Sequence, residues 1–171
     1  MQKMIYRDYY ITPENFDNII LESDNDYLTG LWLENSKDAN KHKSSAKIEN
    51  SEIFKSTKLW LDEYFSGKNP KFTPKFKFTN LTPFKNEVYQ LLLQIPFGQT
   101  TTYGEIATKI AKTRGLKKMS AQAVGGAVGS NPIYLIVPCH RVIGKNGKMV
   151  GYGGDLNNKI ELLKLEKTQS R

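Results

Sequence analysis

Two residues capable of nucleophilic chemistry are adjacent in this 171-residue chain: Cys139, the single cysteine, and His140, one of two histidines. A thiolate is a strong nucleophile, and imidazole can remove a proton near neutral pH. Adjacency alone does not couple them, because neighbouring side chains of an extended segment point in opposite directions, so a turn or a bridging water is required. The alternative is a buried structural cysteine after a strand.

The residues before Cys139 indicate where its thiol lies. Tyr134–Val137 (YLIV) predicts a buried strand that Pro138 ends, which puts Cys139 at a strand end beside a loop, where reactive groups tend to occur. The other histidine, His42, lies in the polar, lysine-rich segment 35–50, for which we predict a solvated loop and no function of His42.

Composition excludes several kinds of protein. With 39% apolar and 25% charged residues, the chain is typical of a globular protein. One cysteine excludes an internal disulfide and, with two histidines, a structural zinc site. No run approaches the roughly 18 apolar residues of a membrane span, and no signal peptide is evident, so we expect the cytoplasm. The net charge of +8 suits a polyanionic partner or simply a soluble surface.

Residues 1–80 predict a small α/β domain. Strands are predicted at 5–11 and 28–33, and a helix at Glu52–Phe65, with an apolar face of Phe54, Leu59, Leu61 and Tyr64. Three prolines predict a linker near 66–83. The fold class is therefore an α/β N-terminal domain, with a small antiparallel sheet and a helix, followed by a mainly α domain over 81–171.

That second domain begins with a helix capped by Thr82 and Pro83. Thr102 and Glu105 have the spacing of a capping box for the next helix, whose apolar face is Ile106, Ala107, Ile110 and Ala111. Ser120 can cap the short helix AQAVGGAVG, and the two helices together predict a helix-turn-helix.

Two further features of this domain need an explanation. Gly125 and Gly126 weaken a helix, so they indicate either close backbone approach to another molecule or tight helix–helix packing. Asp155 can cap a final helix with a core-facing side of Leu156, Ile160, Leu163 and Glu166.

The run Ser120–Glu166 resembles the O6-alkylguanine-DNA alkyltransferases, also called methylated-DNA-protein-cysteine methyltransferases. Their Pro-Cys-His-Arg-Val motif is Pro138–Val142 here. The match includes Asn131 with Pro132, AVGGA, the upstream IPFGQTTTYGEIA and the downstream GYGG and LLKLE, so it covers roughly residues 82–166. Residues 1–80 resemble the family's variable N-terminal domain more faintly, through LTGLWLEN.

The resemblance implies DNA repair in which the alkyl group of O6-alkylguanine, or of O4-alkylthymine, moves irreversibly and stoichiometrically to Cys139. It implies that His140 takes the thiol proton through a water, that Glu166 orients His140, and that Tyr103 assists the departing guanine, with Arg141 as structural support. The residues alone favour Glu166 as an exposed residue in a last helical turn, and the alternative for Tyr103 is a half-buried tyrosine near a helix cap.

The resemblance also implies that the partner is double-stranded DNA, from which the damaged base is flipped while the helix after Ser120 enters the minor groove. It implies a monomer that needs no cofactor or metal and does not bind a membrane. The DNA-binding residues would be Ser120, Ala121, Gln122, Ala123 and Gly125, and the substrate pocket Asn131, Tyr134, Val142, Tyr152 and Gly153. The chain departs from many members at Gln122, where they have arginine, and at Asp155, where they have glycine.

Two other functions remain open. One is a non-catalytic protein that binds alkylguanine lesions, against which the presence of Cys139 argues. The other is a cysteine hydrolase using Cys139 and His140, which needs an oxyanion hole that the sequence does not declare.

Overall fold

A four-stranded sheet and one helix form the first half of the chain in the computed structural model, which describes residues 4–39, 46–48, 50–153 and 155–169. The strands are β1 (Ile5–Tyr10), β2 (Ile19–Ser23), β3 (Leu28–Leu33) and β4 (Ala46–Ile48), in the order β3-β2-β1-β4. Neighbours among β1, β2 and β3 are antiparallel, which confirms the predicted sheet, whereas β4 is parallel to β1.

The prediction of a loop over 35–50 is wrong at β4. A strand at the edge of a sheet offers unpaired backbone groups, so a three-residue segment can pair with β1 without any hydrophobic periodicity. His42 lies outside the described residues.

The helix α1 (Glu52–Phe65) follows β4 and has the predicted bounds. Ser51 caps it, since its hydroxyl accepts a hydrogen bond from the Phe54 amide. Its buried face contains Ile53, Phe54, Thr57, Trp60, Leu61 and Tyr64. Leu59 is 60% exposed, so its predicted place on that face is wrong, because it lies on the opposite side of the helix from Tyr64.

Four helices dominate the second half: α2 (Pro83–Leu93), α3 (Tyr103–Arg114), α4 (Ala121–Gly129) and α5 (Leu156–Gln169). The short strands β5 (Thr101–Thr102) and β6 (Val142–Ile143) pair in parallel. The segment 66–82 contains no helix, and its Phe76 pairs with Leu28 at the edge of β3. None of the described helices is long and apolar enough to cross a membrane.

The predicted caps of these helices are confirmed. The Thr82 hydroxyl accepts from the Lys85 amide and Pro83 begins α2. Thr102 and Glu105 form both hydrogen bonds of a capping box, each 3.0 Å long, and the predicted apolar face of α3 is buried. Ser120 caps α4. Because α3 ends at Gly115 in a left-handed conformation, the chain turns and α4 packs against α3.

The prediction for α5 is half right. The Asp155 carboxylate accepts from the Asn157 amide, as a cap does. The buried face, however, contains Asn158, Lys159, Leu162 and Glu166, while Leu156 is 41% exposed. Glu166 is on the buried face as predicted, but the face is rotated toward Lys159, a charged residue with internal hydrogen-bond partners at a position that a hydrophobic pattern assigns to solvent.

The segment before Cys139 is buried, but the prediction of a strand there is wrong. Leu135 has a φ of 71°, and the Val137 amide donates to the Ile133 carbonyl, so the segment turns back on itself. The side-chain amide of Asn131 closes this turn, because its Nδ2 donates to the carbonyl oxygens of Ile133 and Val137. Two backbone hydrogen bonds then attach this segment to Leu31 of β3, which is the edge strand of the sheet.

Candidate active site

Cys139 begins a 3₁₀ helix, Cys139–Arg141, directly after the turn. Its side chain is only 4% exposed. Burial raises the pKa of the Cys139 thiol to about 11, although a hydrogen bond from Asn131 and the charge of Lys159 act in the opposite direction. The thiol is therefore protonated at neutral pH, and a nucleophilic role requires a base.

His140 has the properties that a base at this position needs. It is fully buried, and its Nε2 bonds to Glu166 Oε2. Its Nδ1 has no partner among the described residues. Burial lowers the pKa of His140, against the opposing attraction of Glu166, so the ring is neutral at neutral pH. With the proton on Nε2, Nδ1 is left as an acceptor.

The Glu166 carboxylate is the centre of this hydrogen-bond network. Oε1 accepts from the Gly98 amide at 3.0 Å and from Arg141 Nε at 2.7 Å. Oε2 accepts from His140 and from the Tyr64 hydroxyl at 2.6 Å. Burial alone would raise the pKa of Glu166, but His140 and Arg141 outweigh it and hold the pKa well below its ordinary value. The exposed-residue alternative is wrong, since Glu166 is fully buried.

Arg141 joins this carboxylate to the loop after α2. Besides Glu166, its guanidinium donates to the Ile95 carbonyl at 2.8 Å and lies 5.6 Å from the centre of the Phe97 ring. The consecutive side chains of Cys139, His140 and Arg141 point about 120° apart on a 3₁₀ helix, so each can have separate surroundings.

Tyr103, the first residue of α3, lies in the wall of a groove of about 1240 Å³. Its hydroxyl is 3.2 Å from the Val150 carbonyl and 3.3 Å from the Gly151 carbonyl. Burial raises the pKa of Tyr103 to about 12, so the phenol remains a donor at neutral pH. The same groove is lined by residues of α4 and of the segment before α5, including Ala121, Gln122, Gly125, Lys145 and Asn146.

The residues predicted to bind DNA lie along this groove or beside it. Ser120, Ala121, Gln122 and Ala123 are exposed at the start of α4. A Cβ atom at Gly126 would meet nothing within 4 Å among the described residues, and one at Gly125 would make only ordinary contact with the Tyr103 ring. Tight internal packing therefore does not explain the two glycines.

The predicted pocket residues divide into two groups. Tyr152 and Gly153 line a second cavity beside α4, which Lys37 and Asp38 of the N-terminal half also reach. The Tyr134 ring packs against Tyr152 with centroids 5.6 Å apart, and a Cβ at Gly153 would lie 2.8 Å from the Tyr134 hydroxyl. Asn131 and Val142 are fully buried and line neither cavity.

Sequence patterns place Tyr64 only on the apolar face of α1 and give no role to Lys159. Tyr64 reaches Glu166 across 102 residues of sequence, a contact that no local pattern reveals. Lys159 is fully buried, donates from Nζ to the carbonyls of Val142 and Val150, and has its pKa lowered to about 8 by burial. Its spacing of seven residues from Glu166, two turns along one helix face, was the available signal.

Comparison with known proteins identifies relatives of both halves of the chain. Two family models match: "6-O-methylguanine DNA methyltransferase, ribonuclease-like domain" over residues 5–78, and "6-O-methylguanine DNA methyltransferase, DNA binding domain" over residues 83–168. A methylated-DNA--protein-cysteine methyltransferase of Haemophilus influenzae is 35% identical over 95% of this chain and 87% of its own length. One from Mycobacterium leprae is 48% identical, over 64% of this chain and 62% of its own length.

Among solved structures, Mycobacterium tuberculosis OGT in complex with DNA is similar to this chain with a TM-score of 0.80 and 34% identity, over 97% of this chain and 94% of that one. The family models together cover both halves of the chain. The chain therefore belongs to the 6-O-methylguanine DNA methyltransferase family.

Proposed function

We propose that this protein repairs alkylated DNA directly, by moving the alkyl group from O6 of guanine to Cys139, once per molecule. The observation that carries the proposal is the set of buried groups at Cys139: a protonated thiol, the adjacent neutral His140 whose Nδ1 is an acceptor, and an ionised Glu166 that bonds to His140. The names of the relatives and the DNA complex of the similar structure support it.

The reaction is a displacement at the alkyl carbon. His140 Nδ1 takes the Cys139 proton through a water, and the nearby Lys159 ammonium favours the thiolate. The sulfur then attacks the alkyl carbon, so that an S–C bond forms as the C–O bond breaks. Guanine leaves as an anion, and the Tyr103 phenol, which stays protonated, can hydrogen-bond to it. The product is a thioether with no easy route back, so the protein is consumed.

DNA must deliver the base to a thiol that is 4% exposed. A stacked base cannot reach such an atom, so the nucleotide has to be flipped out of the duplex. The exposed, small residues at the start of α4 and the open surface at Gly126 allow close approach of a DNA backbone, which supports α4 as the element that enters the minor groove. The net charge of +8 favours a duplex partner. We propose a monomer that acts in the cytoplasm, where a single free cysteine stays reduced.

Intact-mass measurement tests this function. After incubation with duplex DNA containing O6-methylguanine, each protein molecule should gain one methyl group in place of the thiol proton, and peptide mapping should locate it on Cys139. A second portion of DNA should produce no further gain. Tight binding of the lesion without a mass change would instead indicate a non-catalytic lesion binder, and repeated turnover of an ester or peptide would indicate a hydrolase.

Gln122 is the residue that we propose occupies the space left by the flipped base. Glutamine can donate to the orphaned partner base, but it brings no charge and less stacking surface than arginine. Gln122→Arg should therefore tighten binding to O6-methylguanine duplex by about threefold, as a stacked guanidinium at an exposed site would. Fluorescence anisotropy measures the affinity, and rapid-quench methyl transfer measures the rate.

Gln122→Lys is the matched control, because it adds the charge without the planar group. Gln122→Lys should increase the affinity for O6-methylguanine duplex less than Gln122→Arg does. If Gln122→Arg changed neither affinity nor rate, Gln122 would not be the residue that fills the vacated space.

A further inference from the structure

We propose that Tyr64, on α1 in the N-terminal half, is a positioning residue of the alkyl-transfer site, which holds Glu166 and through it the proton-accepting form of His140. The inference rests on the proposed function and extends it, because it gives the N-terminal half a direct part in the chemistry.

The contacts of the Tyr64 hydroxyl carry the proposal. It donates to Glu166 Oε2 at 2.6 Å, the same oxygen that bonds to His140 Nε2. It also lies 3.4 Å from that Nε2. Tyr64 is fully buried, and burial followed by the nearby Glu166 raises its pKa well above the ordinary value. The phenol is therefore a permanent donor to this carboxylate.

Aromatic packing from both halves of the protein sets the position of that hydroxyl. The Tyr64 ring stacks on Trp60 at 5.3 Å with an interplanar angle of 6°. Phe65 of α1 and Phe97 of the loop after α2 make T-shaped contacts with it, with ring centroids 5.4 and 6.2 Å away. A rigid ring that is packed on three sides fixes the position of its hydroxyl, at lower entropic cost than a long flexible side chain would.

The hydrogen bond from the Tyr64 phenol to Glu166 affects both the tautomer and the pKa of His140. A carboxylate oxygen that accepts from Tyr64 is a weaker base toward the imidazole. The proton then stays on Nε2, and Nδ1 remains free to accept from Cys139 through a water. Without the phenol, Oε2 would attract positive charge on His140 more strongly, so the pKa of His140 would rise.

The other charged groups around His140 would be unaltered by loss of this hydroxyl. Glu166 and Lys159 act on it from α5, and Arg141 acts on it from its own segment. Arg141 and Gly98 would still donate to Oε1, so Glu166 would stay ionised. A shift in the titration of His140 therefore reports on the Tyr64 hydroxyl itself.

The test is single-turnover methyl transfer by Tyr64→Phe, measured against DNA concentration and pH. We expect a maximum rate about tenfold lower, as for loss of a hydrogen bond to a charged group, and an unchanged half-saturating DNA concentration. The acid limb of the rate profile should move to higher pH. The matched control is Tyr10→Phe, which removes another phenol–carboxylate hydrogen bond, from Tyr10 of β1 to Asp62 of α1, and should leave rate and profile unchanged.

A double-mutant cycle shows whether Tyr64 acts through Glu166. In a Glu166→Gln background, Tyr64→Phe should cost much less than tenfold, because the partner of its hydroxyl has already changed. An independent measurement on the wild-type protein is the ¹⁵N spectrum of the His140 ring, which should show the neutral form protonated at Nε2. That spectrum applies even if Tyr64→Phe does not fold.

The outcomes separate this proposal from the function it rests on. If wild-type protein accepts no methyl group, the proposed function fails and the role of Tyr64 fails with it. If wild-type protein accepts the methyl group but Tyr64→Phe matches it in rate and pH profile, only the role of Tyr64 is overturned. An Nδ1-protonated His140, or an undiminished effect in the Glu166→Gln background, also overturns it.

Discussion

Cys139→Ser should abolish methyl transfer, slowing it by at least about a thousandfold, while binding to lesion-containing duplex remains close to that of the wild-type protein. The side chains are nearly equal in shape, so the buried turn can retain its geometry. Serine cannot replace the thiol as nucleophile, because its hydroxyl is far harder to ionise and oxygen is a poorer nucleophile toward a saturated carbon. A neutral imidazole does not offset that difference.

Mass spectrometry after prolonged incubation with O6-methylguanine duplex measures the transfer, and anisotropy measures binding. Thermal unfolding should be measured in parallel, to show that the serine variant is folded. A methyl group found on the serine variant would contradict the assignment of Cys139 as acceptor. Loss of binding together with transfer would mean that the substitution disturbed the turn rather than the chemistry.

Local signals in the sequence predicted most of the helical framework. The Thr102–Glu105 capping box and the bounds of α1 are confirmed, because a cap and a 3.6-residue period involve only neighbouring residues. The turn at Tyr134–Val137 was misassigned since its backbone path is decided by the Asn131 amide and by pairing with Leu31. Neither contact can be predicted from an apolar run of four residues.

The sequence also predicted only some residues of the candidate site. The family resemblance predicts Cys139, His140 and Glu166, and the structure brings His140 and Glu166 into contact. Tyr64 was assigned only to a hydrophobic face, because its ring packs as an apolar group and only its hydroxyl bonds to Glu166. Lys159 was missed because a buried lysine contradicts the usual assignment of lysine to the surface.

Glu166→Gln should combine a large loss of stability with a large loss of rate. The substitution keeps the shape but places an NH₂ group where the carboxylate faces only donors: Gly98, Arg141, Tyr64 and His140. It also removes the countercharge of Arg141, which is 8% exposed. Breaking a buried pair in this way costs about 3 kcal/mol of unfolding free energy. Methyl transfer should fall by about a hundredfold or more, because His140 loses the group that fixes its tautomer.

The stability difference should depend on pH in a definite direction. The pKa of Glu166 is below its ordinary value in the folded protein, so its contribution is complete above the unfolded carboxyl pKa of about 4.3 and is lost as pH falls below it. Urea unfolding of wild type and Glu166→Gln should thus differ most at neutral pH and converge in acid. The control is Glu87→Gln, which breaks an exposed carboxylate–arginine pair with Arg114 and should change stability little. A Glu166→Gln loss no larger than that of the control, or one independent of pH, would mean that the buried carboxylate does not hold this site together.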